Sequence, residues 1–182
     1  MTADEFTRIE TELGEDGGLL HIRLAGGKGN ILDMAMMGDI ERALDRHRDH
    51  QALKLILISS SPKYFSFGAS IEEHTKDRVG SMLPSFHRFI RAVASYPVPV
   101  AALVEGRCLG GAFELVLACR FVFGTTKAIF GCPEIKLGVY APVLAALGPH
   151  RLGAPTAERL LLTGADLTAA EAQQRGWLTE LL

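Results

Sequence analysis

The stretch that decides the fold is VAALVEGRCLGGAFELVLAC, residues 100–119. It begins with an apolar run, 100–104, which is typical of a buried parallel strand. A glycine-containing loop, 106–111, follows, and residues 112–119 are apolar on nearly every side of a helix except at Glu114. A strand, a loop and a buried helix in this order predict one unit of an α/β fold with a parallel sheet.

The same order of elements recurs upstream of this stretch. Alternating residues over 6–24 predict a β-hairpin, and Asp33 is a candidate N-cap for the helix that follows. The next strand, over 53–58, leads through a loop, 59–70, to a helix. One side of that helix is apolar and is formed by Met82, Phe86, Phe89, Ile90 and Val93.

Downstream of the stretch, the pattern continues with shorter elements. Residues 121–123 and 128–130 predict two strands, and helical patterns follow at 143–147, 155–162 and 168–175. Without a linker or a low-complexity segment, the chain is expected to form a single domain over 1–182.

The composition is that of a folded protein and excludes several classes of function. Of the 182 residues, 48% are hydrophobic and 22% charged, and the net charge is −2. Acidic residues interrupt the one basic stretch, 42–48, so neither a nucleic acid nor an anionic membrane is an expected partner. No apolar run reaches the roughly 18 residues of a membrane span. The three cysteines lack a Cys-x-x-Cys pair, which predicts a reducing, cytoplasmic location.

Glu114 is the first candidate for chemistry, because the sequence places its carboxyl group inside a buried helix. Buried acids are almost always paired. One interpretation is a buried ion pair with Arg107 or Arg120, and the other is a carboxyl group with a perturbed pKa that takes part in proton transfer. The residues around Glu114 leave both interpretations open.

Two glycine-containing loops are candidates for binding a carbonyl oxygen. Gly110 and Gly111 lie where a loop meets a helix, so the free N–H groups of the first turn can polarise a ligand. The alternative is that these glycines only permit a tight turn. A second loop over 65–70 follows a strand in the same way, whereas Glu134 alone is more typical of a surface acid.

The combined motifs resemble the crotonase family, also called the enoyl-CoA hydratase/isomerase superfamily. The resemblance rests on the order and spacing of three segments, 65–69, 106–115 and 130–138, and extends over essentially the whole chain. It implies a spiral of repeated β-β-α units, usually assembled as a homotrimer or a dimer of trimers. Family members continue into C-terminal helices that cover the active site, so this chain is expected to be a core without that lid.

The resemblance also implies the functional residues. The N–H groups of Ala69 and Gly111 match the oxyanion hole, and Glu114 and Glu134 match the two catalytic glutamates of family hydratases. Coenzyme A enters as part of the thioester substrate, so no separate cofactor is implied. Six residues match positions that bind substrate: Lys28, Phe67, Gly68, Gly110, Tyr140 and Val143.

Departures from the family pattern indicate a particular substrate. Ser70 and Arg120 replace common aspartates, and Tyr140 and Val143 lie where relatives have a glycine-rich lining of the acyl pocket. The run 138–142 is most similar to the branch that hydrates cyclohexa-1,5-diene-1-carbonyl-CoA, so an alicyclic dienoyl-CoA is the expected substrate. The alternatives are a short-chain enoyl-CoA hydratase, an enoyl-CoA isomerase, or a catalytically silent subunit that keeps the fold for assembly.

No metal site is expected. His47 and His50 share a helix face without a neighbouring acid or cysteine to complete a zinc site, and the run 72–74 lacks the His-Glu-x-x-His pattern.

Overall fold

The computed structural model describes residues 6–61, 63–70, 77 and 79–182. Strands β1 (Ile9–Leu13) and β2 (Leu19–Leu24) pair antiparallel, as the alternating pattern predicts. The side chain of Asp33 accepts a hydrogen bond of 2.8 Å from the N–H group of Met36 and caps helix α1 (Met34–His47). The predicted hairpin, the N-cap and the helix that follows are therefore confirmed.

The remaining elements alternate strands with helices. The strands are β3 (Leu55–Ser59), β4 (Tyr64–Ser66), β5 (Val100–Val104), β6 (Arg107–Leu109), β7 (Phe121–Gly124), β8 (Ile129–Gly131), β9 (Asp166–Thr168) and β10 (Glu180–Leu181). The helices are α2 (Val79–Ala94), α3 (Gly111–Ala118), α4 (Pro142–Leu152), α5 (Ala154–Thr163) and α6 (Ala169–Gln174), and a 3₁₀ helix covers Pro133–Leu137.

Two sheets organise the described strands. The larger has the order β1-β2-β3-β5-β7-β10 and the smaller the order β4-β6-β8-β9. From β2 to β10 the neighbours in the larger sheet are parallel, and β4, β6 and β8 are parallel in the smaller one. Units β3-β4-α2 and β5-β6-α3 each add one strand to each sheet before a helix. The predicted α/β spiral of β-β-α units is confirmed.

The smaller sheet corrects two sequence-based assignments. Residues 59–70 and 106–111, predicted as loops, contain β4 and β6, which pair in parallel with each other. The sequence patterns also do not predict β9 of the smaller sheet or β10 of the larger sheet. Each of these strands has only two or three residues, and alternation cannot be recognised over such a length.

Helix α3 lies in the centre of the core. Residues 111–117 are all buried, as the apolar pattern predicts. Phe113 packs edge-on against Trp177 with ring centroids 5.5 Å apart, and Phe130 packs against the same indole at 4.9 Å. All five predicted apolar residues of α2 are buried as well. The buried helix α3 begins two residues after the end of β6.

Candidate active site

The two glycine loops meet at the ends of β4 and β6. Gly68 has a φ of +93°, and a Cβ atom there would lie 2.5 Å from the carbonyl oxygen of Leu109 and 3.1 Å from the nitrogen of Gly111. A Cβ atom at Gly111 would lie 3.3 Å from the nitrogen of Ala69. The loops therefore touch backbone to backbone, and glycine at position 68 makes this approach possible.

The N–H groups of Ala69 and Gly111 are neighbours in this arrangement. Gly110 precedes α3 with a φ of +55°, and its carbonyl oxygen accepts the first intrahelical hydrogen bond, 3.0 Å long, from Glu114. The N–H group of Gly111 consequently has no intrahelical acceptor. Neither it nor the N–H group of Ala69 has an acceptor in the described part of the chain. Two donors at the positive end of a helix dipole can bind a developing oxyanion.

Glu114 is 4% exposed, and backbone groups hold its carboxylate. Its Oε1 atom accepts hydrogen bonds of 2.7 Å from the N–H group of Val143 and 2.9 Å from that of Leu144, in the first turn of α4. The alternative of an ion pair with Arg107 is wrong, because that guanidinium lies 3.6 Å from Asp166. Arg120 is exposed and forms no ion pair with Glu114 in the described structure.

Burial sets the protonation behaviour of Glu114. The loss of solvation, with a smaller contribution from the charge of Glu134, raises its pKa to about 7 against the lowering effect of the two hydrogen bonds from α4. At neutral pH this carboxyl group exchanges its proton readily, which is a property of a general acid or base.

Glu134 reaches the same site from the 3₁₀ helix. Glu134 follows Pro133 and is half-buried. Like Glu134, the other residues of this 3₁₀ helix are not fully buried. A Cβ atom at Gly110 would lie 2.6 Å from Oε1 of Glu134, so the carboxylate rests directly on this glycine. The structure thus brings both predicted glutamates beside both predicted N–H donors.

The predicted substrate-binding residues differ in their placement. The Lys28 side chain is exposed, but its loop is held against β4, where Phe67 donates its N–H group to the carbonyl of Gly29 at 2.9 Å. Phe67 is 43% exposed and stacks on Tyr64 with centroids 5.2 Å apart. Tyr140 is 68% exposed, and Val143 is buried and contacts Glu114 through its N–H group.

Sequence reasoning missed two contributors to the site. The N–H group of Leu144 is a backbone donor, which no side-chain motif reveals. Pro142 was an available signal, since proline favours the first position of a helix. The other is Cys132, which is 1% exposed and precedes the 3₁₀ helix.

No group of three or more His, Cys, Asp or Glu side chains is placed to bind a metal ion among the described residues. The run 72–74 lies outside them. Within the same described ranges, every helix is too short or too polar to cross a membrane.

Comparisons with known proteins identify the family of the chain. The chain is 41% identical over 173 residues to cyclohexa-1,5-dienecarbonyl-CoA hydratase of Thauera aromatica, covering 95% of this chain and 67% of the relative. It is 34% identical to a probable enoyl-CoA hydratase of Rhizobium meliloti, covering 84% of this chain and 60% of that protein. The resemblance predicted from the motifs is confirmed.

The solved structures give the same result. The crystal structure of an enoyl-CoA hydratase from Mycobacterium avium subsp. paratuberculosis superposes with a TM-score of 0.85 at 26% identity, covering 97% of this chain and 69% of the other. The sequence profile described as enoyl-CoA hydratase/isomerase matches residues 14–182. The chain therefore belongs to the enoyl-CoA hydratase/isomerase family.

Proposed function

We propose that this protein is a carbon–oxygen lyase that adds water to an α,β-unsaturated acyl-CoA thioester. The observation that carries the proposal is the placement of two carboxyl groups, Glu114 and Glu134, beside the adjacent N–H groups of Ala69 and Gly111. Hydration needs both kinds of group at one place.

The N–H pair supplies the electrostatic part of the reaction. Attack of water at the β-carbon moves negative charge onto the thioester oxygen, and donors fixed in position stabilise that charge without reorganisation. Removing one such donor typically costs about 2.7 to 4 kcal/mol of transition-state stabilisation. Because the donors are backbone groups of touching loops, their position depends on the glycine at 68 rather than on a side chain.

The two glutamates supply the proton transfers. In this proposal the ionised Glu114 accepts a proton from water as the C–O bond forms, and the protonated Glu134 donates its proton to the α-carbon. The product receives the hydroxyl group of water and a hydrogen from Glu134, and transfer of the water proton from Glu114 to Glu134 restores the enzyme for the next turnover. The pKa of about 7 keeps Glu114 partly ionised at neutral pH. Each acid or base group contributes typically about 10²- to 10⁴-fold.

We further propose an alicyclic dienoyl-CoA, such as cyclohexa-1,5-diene-1-carbonyl-CoA, as the substrate, with coenzyme A entering only as its thiol part. The relative from Thauera aromatica is named for this substrate. Val143 lies in the first turn of α4 and donates its N–H group to Glu114, and Tyr140 lies two residues before that helix. In this proposal, the two side chains shape the acyl pocket for a ring rather than for a straight acyl chain.

A substrate panel tests both parts of the proposal. The purified protein is incubated with cyclohexa-1,5-diene-1-carbonyl-CoA and with crotonyl-CoA, and loss of the enoyl-thioester absorbance is followed. We expect turnover of both and a higher kcat/KM for the dienoyl thioester. A preference for crotonyl-CoA contradicts the alicyclic assignment. Double-bond migration without uptake of water favours an isomerase, and absence of acyl-CoA binding in calorimetry favours a silent subunit.

The assembly state and the location stay predictions. The family resemblance implies three or six copies, and the cysteine pattern predicts a cytoplasmic location. Sedimentation analysis of the purified protein would check the first, and fractionation of cells would check the second.

A further inference from the structure

Cys132 lies between Gly110 and the 3₁₀ helix that carries Glu134. It follows β8 directly, and it is the residue from which the 3₁₀ helix carrying Glu134 begins. Its side chain is 1% exposed. On the neighbouring strand, the N–H group of Gly110 donates a 2.8 Å hydrogen bond to the carbonyl of Gly131, which ties the backbone of the glycine loop to the residue before Cys132.

The thiol has two acceptors within reach. Its Sγ atom lies 3.8 Å from the carbonyl oxygen of Gly110, a hydrogen bond for a sulfur donor. The carboxylate of Glu134 is close enough to serve as a second acceptor for the same thiol. That carboxylate rests on Gly110, so the thiol, the glycine carbonyl and the glutamate form one small cluster.

The chemistry of the thiol limits its role. Burial, together with the charges of Glu134 and Glu114 and the neighbouring Cys108, raises the pKa of Cys132 well above its usual value. These are the titratable groups that face it. The thiol is therefore protonated at neutral pH and acts as a donor of a single proton, which can reach only one of the two acceptors at a time.

We propose that Cys132 is a positioning residue that holds the carboxylate of Glu134 over Gly110 and turns to the carbonyl of Gly110 when Glu134 is protonated. The inference rests on the proposed function for its catalytic meaning. The thiol of Cys132 donates to Glu134 when that carboxyl group is ionised and to Gly110 when it is protonated. Glu134 therefore stays in place in both protonation states.

Kinetics of three variants test the proposal. Cys132→Ala removes the donor, Cys132→Ser restores one, and Cys119→Ala is the matched control, since Cys119 is equally buried but donates to Leu115 at the other end of α3. A hydrogen bond from a weak donor to a charged group predicts a fall in kcat of about fivefold for Cys132→Ala, with KM nearly unchanged.

The pH profile separates positioning from a structural role. Losing a donor to the carboxylate raises the pKa of Glu134, so the alkaline limb of kcat moves to higher pH in Cys132→Ala. In Cys132→Ser and in the control Cys119→Ala, we expect the alkaline limb of kcat at the wild-type pH. Thermal unfolding of each variant confirms that it is folded. A Cys132→Ala profile that coincides with that of Cys119→Ala would overturn the proposal.

An infrared measurement keeps the inference independent of turnover. The S–H stretching band of Cys132 is identified as the band lost in Cys132→Ser. We expect it to shift as Glu134 titrates in the wild type and to shift less in Glu134→Gln, where Glu114 is the facing carboxyl group that still titrates. A titrating band in a protein that hydrates no thioester supports the contact and contradicts only the proposed function. A band that is the same in both proteins overturns the inference even if the wild type is active.

Discussion

Glu114 and Glu134 belong to two regions with opposite surroundings. Glu114 is fixed on α3, where residues 111–117 are buried, and two N–H groups of α4 hold its carboxylate. Glu134 lies on a 3₁₀ helix without a fully buried described residue, and several apolar side chains near it face solvent: Ile135, Leu137, Val139 and Tyr140. The difference teaches that one proton-transfer group is carried by a buried helix, while the other reaches the buried Gly110 and Cys132 from a helix at the surface.

The largest effect is expected from the buried side of this comparison. Glu114→Gln removes the group assigned to water activation while its amide oxygen still accepts from α4. We expect kcat to fall by about 10²- to 10⁴-fold, measured as the rate of loss of enoyl-thioester absorbance. Glu158→Gln, an exposed acid on α5, is the control and should retain wild-type kcat. Unchanged turnover in Glu114→Gln would contradict hydration by both carboxyl groups.

The contact between the two loops predicts the next largest effect. Gly68→Ala combines a positive φ with a Cβ atom 2.5 Å from a carbonyl oxygen, and we expect it to lower the free energy of unfolding by about 4 kcal/mol. Gly27→Ala is the matched control, with a φ of +77° but no atom within 4 Å of its Cβ. It should lose only about 1 kcal/mol. Urea unfolding of both variants measures the difference, and equal losses would show that the loops do not touch.

The raised pKa of Glu114 predicts a dependence of stability on pH. The folded state binds this proton more tightly than the unfolded chain, so stability is fully present below about pH 4.5 and is lost as pH rises to about 7. The loss amounts to about 3 kcal/mol. Because Glu114→Gln abolishes it, the variant should be more stable than the wild type at pH 8 and similar at low pH. Identical slopes between pH 5 and 8 would argue against burial of the charge.

A substitution at the exposed Tyr140 should change stability least and substrate selectivity most. Tyr140 is 68% exposed, so Tyr140→Ala should change the free energy of unfolding by no more than about 0.5 kcal/mol. We expect the ratio of kcat/KM between the dienoyl thioester and crotonyl-CoA to fall by about tenfold, the usual scale of an apolar contact. Leu162→Ala, with 74% exposure on α5, is the control for an exposed apolar residue. A ratio equal in both variants would remove Tyr140 from the substrate pocket.

The sequence predicts local patterns better than contacts between distant segments, for physical reasons. The apolar faces of α2 and α3 and the cap at Asp33 are local patterns, and the structure has them where they were predicted. Strands β4 and β6 are three residues long and are stabilised by each other, so their own residues carry no signal. The N–H groups that hold Glu114 come from a helix 29 and 30 residues further along the chain, and backbone donors leave no mark in a motif.

The hydrogen bonds between Glu114 and α4 affect how related sequences are interpreted. Helix α4 has no cap from its own neighbouring side chains, and the carboxylate of Glu114 supplies the acceptor that its first turn needs. A descendant of this protein that lost its activity would still be selected to keep a glutamate at 114, because α4 starts on it. Glu134 belongs to the first turn of its own 3₁₀ helix. In an alignment of such proteins, the second glutamate is therefore the one whose loss or retention would report on catalysis.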